Sequence, residues 1–140
     1  RHACTQTRCA ALADDSGLVV PALGGAPGLR SARYSGSDDE ANNALLLKNM
    51  AALEAEDRAA FYVAVVVLLK HAEDPTPLIA EGRWHGHIAT TPRGTSGFGY
   101  DPLFVAEGYE QHAAELSSEE KNRVSHRALA VHKLLAQLEA

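Results

Sequence analysis

The sequence has 140 residues, of which 46% are hydrophobic and 22% are charged. These values are typical of a globular protein, and the length predicts a single domain, residues 1–140, with a substantial core. Thirteen basic residues against eighteen acidic ones give a formal net charge of −5. This acidic balance disfavours a nucleic-acid polymer as partner, although a small polyphosphate can still bind where a few cations or a metal ion meet.

The cysteines and the hydropathy bear on location. Cys4 and Cys9 do not form a CxxC motif, so we expect free thiols in a reducing cytoplasm. No run of about 18 apolar residues and no signal-peptide pattern is visible, so we expect no membrane partner. The sequence begins at Arg1, and its first residues are typical of the end of a helix. We therefore expect the sequence to start inside a longer protein.

The first polar feature is the stretch from Ala13 to Gly17, which contains Asp14 and Asp15. It follows a run of small residues and predicts a short strand that ends in a tight polar turn. Adjacent carboxylates on an extended backbone point to opposite faces, so at most one of them faces a given cleft. A carboxylate there suits a divalent cation or a general base, whereas the alternative is an Asp-Ser-Gly turn without chemistry.

The middle of the chain predicts loops, a helix and two strands. Glycines and prolines make 21–28 a loop. An acidic start and an apolar stripe predict a helix at about 39–54. The run 61–69 is rich in β-branched residues and predicts a strand buried on both faces, and the alternation over about 78–86 predicts its antiparallel partner.

Phe98 lies between Gly97 and Gly99, and Asp101 follows shortly after it. Glycines beside an aromatic ring leave the ring face uncovered, which suits stacking on a flat ligand such as a base. Asp101 is then placed to accept hydrogen bonds from ring N–H groups. The alternative is a strand with a bulge and a core phenylalanine.

The last segment starts with Ser117 and Glu120, which predict a capping box and a long amphipathic helix. Arg127 lies near the middle of the apolar stripe if this helix is continuous, where a cation must snorkel, pair or contact a ligand. Alternatively, Ser125 caps a second helix with His126 and Arg127 in its first turn.

A cationic cluster of Lys121, His126 and Arg127 occupies this same segment. It suits an anionic or carbonyl-bearing ligand. The alternative is a basic helix face exposed to solvent. The acidic composition of the chain and the position of Arg127 on the apolar stripe of the helix disfavour this alternative.

Four motifs occur together in the order that is typical of the inosine triphosphate pyrophosphatase family, which acts on noncanonical purine nucleotides. They are Ala13–Leu18, Gly25–Gly28 with Ser31–Gly36, Gly97–Pro102, and Glu120–Asn122 with Ser125–Arg127. The sequence resembles this family, and its bacterial dITP/XTP pyrophosphatases, over essentially its whole length.

The family begins with a strand, a Thr-Gly-Asn phosphate loop and a helix that carries a Glu and a Lys. None of these is present, so we expect the N-terminal part of the domain to be missing.

The resemblance implies an α/β fold in which a twisted mixed β-sheet with flanking helices forms two lobes around a cleft, in a homodimer. It implies hydrolysis of ITP, dITP or XTP to the monophosphate and pyrophosphate with Mg²⁺, which cleanses the nucleotide pool. A nucleotide-binding fragment without turnover is the alternative.

The resemblance also implies roles for individual residues. Asp15 is the catalytic carboxylate and metal ligand, and Ser16 contacts the substrate. The pocket for the 6-oxo purine is formed by the remaining members, namely Phe98 as the stacking ring, Gly99, Tyr100, Asp101, Lys121, His126 and Arg127. We therefore expect the Asp15 carboxylate and the Arg127 guanidinium to face each other across one groove.

Overall fold

A computed structural model describes all 140 residues. Its helices and strands are, in chain order, α1 (His2–Thr7), β1 (Ala11–Val19), α2 (Asp39–Asn49), β2 (Ala59–Leu69), β3 (Leu78–Ile88), β4 (Phe104–Ala106), α3 (Ser118–Val124) and α4 (His126–Glu139). Short 3₁₀ turns at Pro21–Leu23, Gly28–Arg33, Ala55–Asp57 and Ala113–Glu115 complete the structure. None of the helices has the length and apolar character needed to cross a lipid bilayer.

The four strands form one sheet in the order β1-β2-β3-β4. The predicted α/β fold, a sheet with flanking helices, is confirmed, but every strand pair in this chain is antiparallel, so the sheet is not mixed. β2 and β3 are joined by a tight connection around the buried Asp74, whose carboxylate accepts the N–H groups of Lys70 and Thr76, both at 2.9 Å. This connection reverses the chain without a crossover and fixes the antiparallel pairing.

β1 runs straight through the predicted turn at Asp14–Gly17. It pairs with β2 along its whole length, from Ala11 opposite Leu69 to Val19 opposite Phe61. The prediction of a strand that ends in a turn at these residues is therefore wrong. The backbone hydrogen bonds to β2 override the turn preference of Asp, Ser and Gly.

β2 is buried mainly on one face, which corrects the prediction that both faces are buried. Tyr62, Ala64 and Val66 are buried, whereas Val63 and Val65, on the opposite face, remain partly exposed. The reason is that the core and α4 lie on the same side of the sheet.

α2 ends at Asn49, before the predicted end at about 54. The guanidinium of the buried Arg58 donates to the carbonyl of Met50 at 2.9 Å and so holds the chain where it leaves the helix. At the start of α2, the Asp38 carboxylate accepts from the Ala41 N–H at 2.9 Å, as expected of an N-cap.

The C-terminal segment forms two helices, which confirms the alternative in which Ser125 caps the second one. The Ser125 hydroxyl accepts from the Ala128 N–H at 3.3 Å. At the start of α3, Ser117 accepts from the Glu120 N–H at 3.1 Å, but the Glu120 carboxylate bonds to Arg123 instead of completing the predicted capping box.

Gly82 in β3 allows α4 to lie directly on the sheet. A Cβ atom there would lie 2.5 Å from the Ala130 nitrogen and 3.0 Å from the Leu129 Cβ, so any other residue would push the helix away. This close approach places the first turn of α4, with His126 and Arg127, over the sheet next to Tyr62.

Candidate functional site

The predicted site residues gather around two adjoining cavities of about 470 and 150 Å³. Phe98, Lys121 and His126 line both of them, Arg127 lines the larger and Ser16 lines the smaller. Three distant parts of the chain, namely β1, the loop after β3 and the α3–α4 junction, therefore meet in one cleft.

Phe98 stands open in this cleft with 62% of its surface exposed. Both neighbouring glycines have positive φ, 76° at Gly97 and 60° at Gly99, a conformation that side chains disfavour. Two cations flank the ring: the Lys121 Nζ lies 4.6 Å and the Arg127 Cζ 6.0 Å from its centroid. The alternative of a core phenylalanine in a bulged strand is therefore wrong, because Phe98 is exposed and lies in the loop between β3 and β4.

The loop that carries Phe98 is held by α2. The Asp39 carboxylate accepts from the Gly99 N–H at 2.8 Å, and the Asn43 Nδ2 donates to the Gly99 carbonyl at 2.9 Å. Sequence reasoning missed both residues. In the sequence, the only indication of this role was the acidic start of α2, and a favourable interaction with the helix dipole explains that acidic start equally well.

Asp101 lies beneath the cleft and is only 2% exposed. Its Oδ2 pairs with Lys121 and accepts from the Phe98 N–H at 3.2 Å, while its Oδ1 accepts from the Tyr62 hydroxyl at 3.2 Å. Asp101, which the sequence predicted to accept hydrogen bonds from ring N–H groups of a base, here accepts hydrogen bonds from groups of the protein itself. The carboxylate instead fixes Lys121 and the backbone of the Phe98 loop.

Tyr100 also points into the protein. It is 3% exposed, and its hydroxyl donates to the Ser31 carbonyl at 2.7 Å. Burial raises the pKa of Tyr100, so the group stays a neutral hydrogen-bond donor. This contact joins the Phe98 loop to the 3₁₀ turn beside β1.

His126 forms a wall of the cleft. Its ring stacks on Tyr62 with centroids 4.7 Å apart and planes inclined by 12°, and its Nδ1 is buried without a hydrogen-bond partner. Burial, and then the charges of Arg127 and Lys121, lower the pKa of His126 to about 4. The imidazole is therefore neutral at pH 7 and has one donor and one acceptor nitrogen.

Arg127 joins the C-terminal segment to the acidic stretch of β1. Its Nε donates to the Asp14 Oδ2 at 2.5 Å, and its Nη2 donates to the Ser16 Oγ at 3.1 Å. The carboxylate that faces Arg127 is thus Asp14, and the expected opposition of Asp15 and Arg127 across one groove is wrong. Strand alternation, which allows only one of two adjacent side chains on each face, turns Asp15 to the other side of β1.

Asp15 is exposed and has no cationic partner. Its Oδ1 accepts from the Ser16 N–H at 2.9 Å, and it lines a separate cavity of about 340 Å³ together with Val63 and Val65. Ser16 and Gly17 line both this cavity and the smaller one at Phe98. The two spaces therefore adjoin at the backbone of β1.

The structure contains no group of three or more His, Cys, Asp or Glu side chains that could hold a metal ion. Asp15 offers a single free carboxylate. Mg²⁺ is commonly held by one or two carboxylates, with water and substrate phosphates as its other ligands. The residues present therefore fit Mg²⁺ when it arrives with a phosphate ligand.

The sheet, its helices and this cleft together define an α/β protein whose cleft presents an exposed aromatic ring between two cationic side chains. A profile of the Ham1 family matches residues 1–137. A dITP/XTP pyrophosphatase of Xanthomonas campestris pv. campestris (strain 8004) is 58% identical over 142 residues, which cover 100% of this chain and 71% of that protein. A dITP/XTP pyrophosphatase of Legionella pneumophila (strain Lens) is 53% identical over 140 residues, which cover 99% and 72%.

Solved structures agree with this match. A HAM1 protein from Coxiella burnetii superimposes with a TM-score of 0.91 at 43% identity, over 99% of this chain and 72% of that one. A nucleoside-triphosphatase (dITP/XTP pyrophosphatase) from Mycobacterium abscessus superimposes with a TM-score of 0.81 at 47% identity, over 99% and 70%. The chain belongs to the Ham1 family.

Proposed function

We propose that this protein hydrolyses noncanonical purine nucleoside triphosphates, such as dITP, ITP and XTP, to the monophosphate and pyrophosphate and so cleanses the nucleotide pool. The names of its relatives support this activity. The structural observation that carries the proposal is the exposed Phe98 ring, which is flanked by Lys121 and Arg127 in a cleft walled by His126. Such an arrangement suits a planar base with polar edges.

In this proposal, the purine stacks on Phe98 and its 6-oxo group accepts a hydrogen bond from Arg127. The neutral His126 supplies a further polar contact at the same edge. The 6-amino group of adenine carries N–H donors, and so does the Arg127 guanidinium, so the two cannot hydrogen-bond to each other. The Arg127 N–H groups would then stay unpaired, at a cost of about 1–3 kcal/mol in binding free energy. The site thereby favours ITP over ATP.

Asp15 is the proposed catalytic carboxylate. Its free, exposed oxygens suit a general base that orients and deprotonates a water for attack on the α-phosphorus. Because Ser16 and Gly17 line the cavities on both sides of β1, a nucleotide bound at Phe98 can extend its phosphates past Ser16 toward Asp15. A Mg²⁺ ion held by Asp15 and the phosphates would neutralise the charge that develops on the phosphate oxygens.

The proposal includes a homodimer in the cytoplasm, with residues 1–140 acting as one domain. Cys4 and Cys9 are both free thiols, as expected in a reducing compartment.

The test is the initial rate of pyrophosphate release from ITP, XTP and ATP with Mg²⁺. We expect turnover of ITP and XTP well above that of ATP. Asp15→Asn should abolish turnover, whereas the matched control Asp57→Asn, an exposed acid in a distant 3₁₀ turn, should leave it unchanged. Equal rates on ATP and ITP, or full activity of Asp15→Asn, contradict the proposal. Binding of inosine monophosphate without any turnover would favour the nucleotide-binding alternative.

A further inference from the structure

We infer that Asp14 is a positioning residue for base selection: it fixes the Arg127 guanidinium so that one edge of this group stays free to read the 6-oxo group of the purine. This inference rests on the proposed function. It assigns separate tasks to the two adjacent carboxylates, since Asp14 holds the cation that reads the base and Asp15 stays free for chemistry.

The geometry of the guanidinium carries the inference. An arginine has five N–H donors in a rigid plane. The Nε of Arg127 donates to Asp14 and its Nη2 donates to Ser16, so one side of the plane is bound to β1. Nη1 has no partner in the protein. The donors that remain available therefore lie on a side of the plane whose orientation is set by Asp14 and Ser16.

The two ends of this contact belong to fixed parts of the fold. Asp14 lies in the middle of β1, opposite Val66 of the neighbouring strand. Arg127 lies in the first turn of α4, which is capped by Ser125 and seated against Gly82. The pair therefore joins strand and helix across 113 residues of sequence and anchors the guanidinium at the cleft.

Without Asp14, the Arg127 side chain would lose its anchor. Its side chain is 45% exposed, so water would accept its N–H groups and several rotamers would become accessible. A ligand would then have to order the side chain on binding. The cost of immobilising one such side chain corresponds to a loss of about two- to tenfold in affinity. The loss applies to a 6-oxo purine, which uses Arg127, and spares a 6-amino purine, which does not.

A double-mutant cycle read by nucleotide binding tests this inference. Calorimetry would give the dissociation constants of inosine and adenosine monophosphate for the unaltered chain, Asp14→Ala, Asp14→Asn, Arg127→Ala and the double variant Asp14→Ala/Arg127→Ala. Glu81→Gln is the matched control, because Glu81 forms a similar exposed pair with Arg83, also at 2.5 Å, on the outer face of β3.

We expect Asp14→Ala to lower the preference for inosine over adenosine monophosphate by about two- to tenfold. Asp14→Asn, which keeps an oxygen acceptor, should restore part of that preference, and Glu81→Gln should leave it unchanged. The double variant should be no less selective than Arg127→Ala alone, because Asp14 acts only through Arg127.

The inference is overturned if Asp14→Ala keeps the full preference while Arg127→Ala loses it, or if the two losses add in the double variant. It is also overturned, together with the proposed base selection, if the unaltered chain binds both nucleotides equally. Failure of the proposed hydrolysis is recognised separately, by the absence of pyrophosphate release from a chain that still selects inosine monophosphate.

Discussion

Tyr62 and His126 stack face to face, with ring centroids 4.7 Å apart and planes inclined by 12°. The same tyrosine donates its hydroxyl to Asp101, which holds Lys121 and the backbone of the Phe98 loop. One buried side chain of β2 thus touches both the wall and the floor of the cleft. The shape of the site is therefore coupled to the core of the sheet.

The burial of His126 predicts a pH dependence of stability. Its pKa is about 4 in the folded chain, against about 6.5 in an unfolded one. Above pH 6.5 both states are neutral and the group has no effect. As the pH falls from 6.5 to 4, the unfolded state gains the proton first, so the folded state loses up to about 3 kcal/mol.

Urea unfolding of the unaltered chain and of His126→Phe between pH 7 and pH 4 measures this contribution. We expect a shallower loss in the variant, which keeps the stack on Tyr62 and removes the unpartnered Nδ1. His2→Gln, at an exposed position of α1, is the control and should follow the unaltered chain. Parallel curves for His126→Phe and the unaltered chain would contradict the assignment.

Lys121 should be needed for stability as well as for binding. Lys121→Met would leave the Asp101 carboxylate, 2% exposed, without its cation, which we expect to cost about 3 kcal/mol in the free energy of unfolding. The double variant Lys121→Met/Asp101→Asn removes the charge and should recover most of this loss. Denaturant unfolding of both variants is the measurement. If Lys121→Met is as stable as the unaltered chain, the ion pair of Lys121 and Asp101 does not contribute to the free energy of unfolding.

Phe98 should matter for binding and not for folding. Because its ring is 62% exposed, Phe98→Ala should change the free energy of unfolding by no more than about 0.5 kcal/mol. The loss of one base-stacking contact should weaken binding of inosine monophosphate by about 1–3 kcal/mol. Phe98→Tyr keeps the ring and should bind normally. Unchanged affinity of Phe98→Ala would exclude the ring as the stacking surface.

Gly82 should be required for the seating of α4. Gly82→Ala places a Cβ against the backbone of the helix, and we expect a loss of about 1–3 kcal/mol together with weaker nucleotide binding, because His126 and Arg127 move with α4. Gly24→Ala is the comparison: nothing lies within 4 Å of its added Cβ, so only backbone strain at a φ of 66° remains. If Gly82→Ala binds and unfolds like the unaltered chain, the helix is not held by this contact.

Local features of the sequence predicted the parts of the site that local chemistry determines. The glycines on both sides of Phe98 indicated an uncovered ring as one of two alternatives. Ser125 indicated the start of a second helix, with His126 and Arg127 in its first turn, as the alternative to one continuous helix. Alternation along an extended backbone also predicted that Asp14 and Asp15 point apart. Each of these follows from a few neighbouring residues.

What the sequence did not predict depends on contacts between distant segments. Which of the two aspartates faces Arg127 is decided by pairing with β2 and by the seating of α4. Asp101 binds within the protein because Tyr62, from β2, lies beneath it. The hydrogen bonds of Gly99 with Asp39 and Asn43 join residues that are 60 and 56 positions apart in the sequence, and no local pattern predicts them.

The most direct test of the account is the hydrolysis of ITP in ¹⁸O-labelled water with Mg²⁺, followed by mass spectrometry of the products. The account predicts inosine monophosphate that carries the label, together with unlabelled pyrophosphate, because water attacks the α-phosphorus. Release of inosine diphosphate and inorganic phosphate, or label in the pyrophosphate, would contradict it.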